Sequence, residues 1–247
     1  STPLCAIAVQ NICNDIMERN GYTGIFSLLI GRGSTVGEKL INDERVPLVS
    51  FTGSTYMGRH VSETVAKRFG QSILELGGNN CIIVDETADM DMVVPAIAFG
   101  AVGTAGQRCT STRRVIVHDS QYEELILHLV NAYKQVIIGD PLEKETLMGP
   151  LINEKAVNEF ENAIGKAEES GGDILYGGTK IEGPGNYVNP TIIKAENKWE
   201  IVQKETFAPV LYIMTYSDLN DAMNMHNAVP QGLSSAMFTL NIRNAEK

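Results

Sequence analysis

Cysteine is scarce in this 247-residue chain: Cys5, Cys13, Cys81 and Cys109 are the only four, and none stands in CxxC spacing or beside histidines at metal-ligand spacing. That argues against a disulfide framework and against a metal site. Free thiols suit a reducing compartment, so the cytoplasm is expected, with the mitochondrial matrix as the alternative. Positive charge is also short, with 20 Lys and Arg against 30 Asp and Glu and a net charge of −10. The basic residues are scattered, which argues against a nucleic-acid or anionic-membrane partner. No apolar run approaches the about 20 residues that span a bilayer. The N-terminus shows no basic segment followed by an apolar stretch, so no signal peptide is read. Low-complexity and Pro/Ser-rich stretches are missing too, and 43% of the residues are hydrophobic, which argues against disorder.

What is present is an alternation of short apolar runs with amphipathic segments. Leu4, Ala8, Ile12 and Ile16 recur every four residues before Gly21, which predicts a helix over residues 2–20. Apolar strands are expected at 25–30, 47–51, 72–76 and 81–85, with helices ending near Ile41 and spanning 55–69. Further on, helices are expected from Asp89 to about Gly103, from a Ser120 cap to about Val136, from an Asn153 cap to about Ser170, and from a Ser217 cap to about Asn227. Strands are expected at 114–118, 174–176, 187–193, 209–216 and 234–239, and residues 241–247 read as the first turns of another helix. This is the pattern of a parallel sheet covered on both faces. The chain opens on a helix and closes inside one, so it reads as a fragment of a larger protein.

Several residues are placed to do chemistry. Gly31-x-Gly33-x-x-x-Gly37 lies between an expected strand and helix, one residue too long for the dinucleotide fingerprint, and is either a nucleotide turn or an ordinary glycine-rich one. Thr52-Gly53-Ser54 forms a second strand-to-helix turn, where free N–H groups favour phosphate oxygens. Cys109, in Ala105-Gly-Gln-Arg-Cys-Thr, is either a buried free cysteine, as read for Cys5, Cys13 and Cys81, or a nucleophile. The charges of Arg108 and Arg113–Arg114 favour the second. Glu75 ends an otherwise apolar strand. It is either a solvated strand-end charge or a carboxylate in a dry crevice suited to general-base work.

Phe51-Thr-Gly-Ser54, Leu74-Glu-Leu-Gly-Gly78, Gly106-Gln-Arg-Cys109 and Lys204-Glu-Thr-Phe207, in this order and spacing, resemble the aldehyde dehydrogenase superfamily along the whole chain. The resemblance implies an α/β fold: a partial Rossmann-type NAD(P)-binding domain over residues 1–77 and an α/β catalytic domain with a parallel sheet over 78–247. It implies an enzyme that oxidises a small-molecule aldehyde to an acid with NAD, NADP being left open. Cys109 is then the nucleophile, and Glu75 the base that hydrolyses the thioester. Gly37, Thr52, Gly53, Ser54, Thr55, Gly58 and Leu76 line the cofactor, Glu205 holds the nicotinamide ribose, and Phe207 packs beside it. Arg108 and Thr110 contact substrate.

Leu76-Gly-Gly-Asn-Asn80, Gly103-Thr-Ala-Gly-Gln-Arg-Cys-Thr110, Glu205-Thr-Phe-Ala-Pro209 and Gln231-Gly-Leu-Ser-Ser235 are similar to the branch acting on aminoadipate semialdehyde in lysine breakdown. The rivals are a betaine or succinic semialdehyde enzyme and a non-catalytic protein on the same scaffold. By resemblance the full-length protein is a homo-oligomer, tetramer or dimer. By the resemblance the family's asparagine oxyanion donor lies upstream of Ser1 and its subunit-joining strand beyond Lys247, so the 247 residues alone are expected to be nearly inactive and poorly soluble.

Overall fold

A computed structural model describes residues 2–247, which divide into two compact units, one ending at Leu76 and the other running from Gly77 to Lys247. The first unit opens on α1 (Pro3–Arg19), whose proline sits in the first turn, where no N–H is needed. Gly21, at φ +77°, follows the helix end in the left-handed region. A π-helical turn (Gly33–Gly37) runs into α2 (Glu38–Asn42). Then come β1 (Leu48–Thr52), α3 (Thr55–Lys67) and β2 (Gln71–Glu75). β1 and β2 pair in parallel, from Leu48 opposite Gln71 to Thr52 opposite Glu75. A parallel pair needs a crossover, and α3 supplies it. Its Val61 and Val65 pack with Ile41 and Val49 in a small core. Glu38 Oε1 lies 2.7 Å from His60 Nε2 and ties α2 to α3.

Residues 25–30 do not form the expected strand. Ile25, Phe26, Leu29 and Ile30 are exposed, and the two-stranded sheet holds only β1 and β2. An apolar run becomes a strand only beside a neighbour that takes up its N–H and C=O groups. The Gly31–Gly37 turn therefore follows no strand, and of the two expected strand-to-helix turns only Thr52–Ser54 is one.

The second unit contains β3 (Asn80–Val84), α4 (Met90–Val102), β4 (Thr112–His118), α5 (Tyr122–Lys134), α6 (Glu154–Glu169), β5 (Asp173–Tyr176), β6 (Thr191–Lys194), α7 (Glu200–Gln203), β7 (Val210–Tyr216), α8 (Leu219–Asn227), β8 (Ser235–Phe238) and α9 (Ile242–Ala245). Its sheet runs β5-β6-β7-β4-β3-β8. All neighbours are parallel except β5 and β6, a departure from the uniformly parallel sheet expected. Central β3, β4 and β7 are buried along nearly their whole length, as near-continuous apolar runs require. Ile82, Ile116, Val117 and Ile213 meet Ile97 of α4, Leu125 and Leu129 of α5 and Phe160 of α6 in one large core.

Asn153 caps α6 as expected, its side chain accepting from Ala156 N at 3.0 Å. The other two caps differ. A 3₁₀ turn (Asp119–Gln121) precedes α5, and there Ser120 N donates to His118 Nδ1. Asp218, not Ser217, caps α8 by accepting from Asn220 N, while the Ser217 hydroxyl bonds Asp119. A carboxylate accepts from the first-turn N–H groups more strongly than a hydroxyl does. The strand expected at 187–193 starts only at Thr191. Among the described residues no helix is long and apolar enough to cross a membrane.

Candidate active site

In the second unit the segments leading into β3, β4 and β7 emerge at the same end of three adjacent parallel strands. They carry Gly77–Asn79, Gly103–Ser111 and Lys204–Pro209, and sheet order alone brings these three loops together.

Cys109 is half-buried on the middle loop. The backbone before it is unusual, because Thr104, Ala105 and Gly106 all lie in the left-handed region, at φ 54°, 53° and 67°. Gly106 is required there. A Cβ on it would stand 2.3 Å from the Ala208 carbonyl oxygen, so only glycine lets the middle loop touch the loop before β7.

Asn80 clamps the loop from the other side. Its side-chain amide donates to the carbonyls of Cys109 (2.7 Å) and Ser111 (2.8 Å), and its Oδ1 accepts from Ser234 N (2.9 Å). The Cys109 N–H carries no hydrogen bond among the described residues. Glu205 Oε1 accepts from Arg113 Nη2 (3.1 Å) and, at 3.4 Å, from Gly78 N, while its Oε2 has no partner among the described residues. Gly77 lies against the same carboxylate: a Cβ there would stand 2.0 Å from Glu205 Oε2, so a side chain at 77 would displace the Glu205 carboxylate. Phe207, partly exposed, lies with its ring 5.4 Å from the Arg113 guanidinium carbon.

The three arginines read together in the sequence part ways. Arg114 is buried and donates to the carbonyls of Asn79, Met225 and His226 and to Asn197. It neighbours Cys81, whose thiol burial pushes up to about 12 despite that cation. Arg113, on the opposite face of β4, turns to the Cys109 loop. Burial draws its pKa down, and the nearby Glu205 and Cys109 oppose that shift. Arg108 is half-buried, donates from Nε to Thr104 Oγ1 (2.9 Å) and stacks 5.0 Å above the Phe99 ring. Its two terminal nitrogens make no hydrogen bond among the described residues. Thr110 is exposed beside Cys109. Cys81 is buried, but Cys5 is exposed and Cys13 half-buried, so the buried reading fails for those two.

In the first unit, Thr52 ends β1 and Gly53 N donates to the carbonyl of Glu75 (3.0 Å), stitching the turn to the last residue of β2. Ser54 caps α3, accepting from Met57 N at 3.3 Å. The N–H groups of Thr55 and Tyr56 carry no hydrogen bond among the described residues. Gly58 is buried against Leu76, whose Cδ2 a Cβ would approach to 2.3 Å. Gly37 closes the π-helical turn with open space beside it. Glu75 is exposed, so the described residues do not form the dry setting expected for it.

Two residues carry more of this geometry than the sequence reading allowed. Arg113 was read only as a charge and Asn80 only as part of a motif. The available signal was a polar residue in the first two positions of an otherwise apolar buried strand, which must find partners to be tolerated there.

Residues 1–247 match the aldehyde dehydrogenase family along their whole length. Aldehyde dehydrogenase family 7 member A1 of Pisum sativum is 48% identical over 97% of the chain, and alpha-aminoadipic semialdehyde dehydrogenase of Mus musculus is 45% identical over 97%. The chain spans 47% and 44% of those two proteins, so about half of each. The lactaldehyde dehydrogenase structure from Escherichia coli superposes with a TM-score of 0.94 at 36% identity, over 99% of this chain and 51% of that one. The betaine aldehyde dehydrogenase of Staphylococcus aureus, solved in complex with NAD+, gives 0.86 at 30% identity, over 89% of this chain and 44% of that one. With motifs, fold and relatives in agreement, the chain belongs to the aldehyde dehydrogenase family.

Proposed function

We propose that the full-length protein oxidises an aldehyde to a carboxylic acid with NAD+, and that the second unit is its catalytic domain and the first part of its cofactor domain. The observation that carries this is residue Cys109 itself, whose carbonyl is pinned by Asn80 and whose N–H, in the preceding peptide, carries no hydrogen bond among the described residues. A thiol on a braced loop, with an unclaimed donor in the same residue, suits attack on a carbonyl and capture of the resulting oxyanion.

Two features fit a dinucleotide. The unclaimed N–H groups of Thr55 and Tyr56 at the start of α3 suit phosphate oxygens, and the unclaimed Oε2 of Glu205 suits ribose hydroxyls. Gly37, Thr52, Gly53, Ser54, Gly58 and Leu76 would shape the rest of the first region, and Phe207 would pack beside the ribose. The Gly53 N–H is already committed to Glu75 and is not among the phosphate donors.

The Cys109 thiolate attacks the aldehyde carbon, and its own N–H holds the oxyanion of the thiohemiacetal. The nicotinamide, when bound, supplies the acceptor for the hydride that departs. Glu75 takes the proton of a water that attacks the thioester, releasing the acid and restoring the thiolate. Cys109→Ser is expected to abolish NADH formation in the full-length protein, and Glu75→Gln to lower it by about 10²-fold or more. Either variant turning over like the parent rejects the role of that residue.

The substrate proposed is aminoadipate semialdehyde, which carries a carboxylate. The two uncommitted nitrogens of Arg108 support it, because a guanidinium edge suits bidentate pairing with a carboxylate. Thr110 lies exposed beside the nucleophile as a second contact. The similarity to the mouse protein points the same way. Arg108→Met should lower kcat/KM for carboxylate-bearing aldehydes by about tenfold or more and spare simple aldehydes. An equal loss on both rejects the assignment. The partner is thus a small molecule, and a homo-oligomer is the proposed state of the whole protein.

A further inference from the structure

Arg113 is the most heavily committed side chain in the second unit. It is 2% exposed, and each of its three nitrogens is occupied. Nε donates to the Gly78 carbonyl (3.3 Å). Nη1 donates to the carbonyls of Thr206 (2.6 Å) and Gly106 (3.2 Å). Nη2 donates to Gly106 (3.3 Å), to the Arg108 carbonyl (3.0 Å) and to Glu205 Oε1 (3.1 Å). These partners come from all three loops of the candidate site.

Two of the contacts matter for chemistry. The Arg108 carbonyl belongs to the same peptide as the Cys109 N–H, the donor assigned to the oxyanion. A cation bonded to that carbonyl fixes the plane of the peptide and polarises it, which strengthens the N–H at its other end. The second contact is Glu205, whose Oε1 Arg113 holds so that Oε2 is left over. We propose that Arg113 is a positioning residue that ties the oxyanion-donor peptide of Cys109 to the cofactor carboxylate Glu205, so that both are set by one guanidinium. This rests on the roles proposed above for Cys109 and Glu205. The countercharge of Glu205 also explains how a cation tolerates so dry a position, since burial alone pulls its pKa down and the carboxylate pushes it back.

Lysine could replace it only in part. An ammonium offers three donors from a single point and does not span Gly78, Gly106, Arg108 and Glu205 together.

The test is a double-mutant cycle in the full-length protein, with circular dichroism and oligomeric state checked for each variant. Arg113→Met is expected to raise KM for NAD+ about tenfold and to lower kcat at saturating NAD+ about tenfold or more, one polarised donor being partly lost. Glu205→Gln should raise KM for NAD+ with a smaller effect on kcat. Adding Arg113→Met to Glu205→Gln should then change KM little further and still lower kcat.

Arg113→Lys keeps a cation beside Glu205 and is the variant to use should Met compromise folding. It is expected to hold KM within about threefold while kcat still falls. An unchanged kcat in both Arg113 variants overturns the proposal. Strictly additive KM effects overturn the tie to Glu205. A normal KM in Glu205→Gln overturns instead the cofactor role assigned to that carboxylate, and the kcat readout of Arg113 remains as the test of its other limb.

Discussion

Replacing Gly106 with alanine should remove the activity proposed for the full-length protein while leaving every ionisable group in place. The residue sits at φ +67°, where an L side chain costs about 1–2 kcal/mol. The new Cβ would meet the Ala208 oxygen at 2.3 Å, its carbon at 2.4 Å and Pro209 N at 2.7 Å. All three are backbone atoms, so no rotamer change gives relief. An ordinary carbon contact needs roughly 1 Å more, and overpacking of this kind costs about 1–3 kcal/mol. The total is about 2–5 kcal/mol of stability, relieved in part by moving the Ala208–Pro209 peptide away from the Cys109 loop. That peptide follows directly on Glu205–Phe207, so the carboxylate moves with it. A displacement of about 1 Å at a reacting geometry can cost about 10²-fold in rate. Initial rates of NADH formation by the full-length Gly106→Ala protein should therefore show kcat/KM down by about 10²-fold, with a lower melting temperature. Gly165→Ala is the control. It sits within α6, its Cβ meets nothing within 4 Å, and it should be neutral or stabilising by about 0.5–1 kcal/mol. Parent-like kcat/KM and melting temperature for Gly106→Ala would refute the close-contact argument.

Other expectations follow from the same packing. Asn80→Ala removes three hydrogen bonds at a buried position and strands their partners, so it should lower the unfolding free energy by about 3 kcal/mol, read from denaturant midpoints. Cys109 in that variant should also be alkylated by iodoacetamide at an altered rate, because its peptide is no longer pinned; an unchanged rate and midpoint reject the clamp. Burial pushes the Asp85 carboxyl up, but bonds from Thr239, Thr87 and Asn244 outweigh it and hold the group below its ordinary value. A depressed carboxyl stabilises the fold in full above the unfolded value, about 3.9, and loses that contribution as pH falls further. Thr239→Val should therefore start acid unfolding at a higher pH, and an unshifted acid transition counts against the network.

Periodic elements were the most legible part of the chain. The Asn153 cap and the repeat behind it located α6 to within a residue at each end, because cap and apolar stripe are both local. The expected helix over 55–69 overran, since Phe69 adopts φ 59° where glycine would be the ordinary choice and the helix stops at Lys67. Residues 25–30 failed for a non-local reason: being apolar is a property of the run, but being a strand depends on a neighbour. The same limit explains Arg113 and Arg114. Adjacent residues on a strand must face opposite sides, so one could not serve the other's surroundings, but which carbonyls await each depends on three loops far apart in sequence. Cys109 and Glu205 were found by motif. The guanidinium that Glu205 shares with the loop carbonyls was not, because no spacing rule encodes a partner 92 residues away.

Thr104 illustrates a conflict that a single position can hold. Its left-handed backbone is uncomfortable for a branched residue, and glycine would relieve it. The same threonine, however, lends its hydroxyl to Arg108 Nε, and so orients the side chain proposed to meet the substrate carboxylate. Trading comfort for aim is thus built into this corner: variants selected for thermal robustness at position 104 should drift towards indiscriminate substrate choice, and those selected for discrimination should keep the tension.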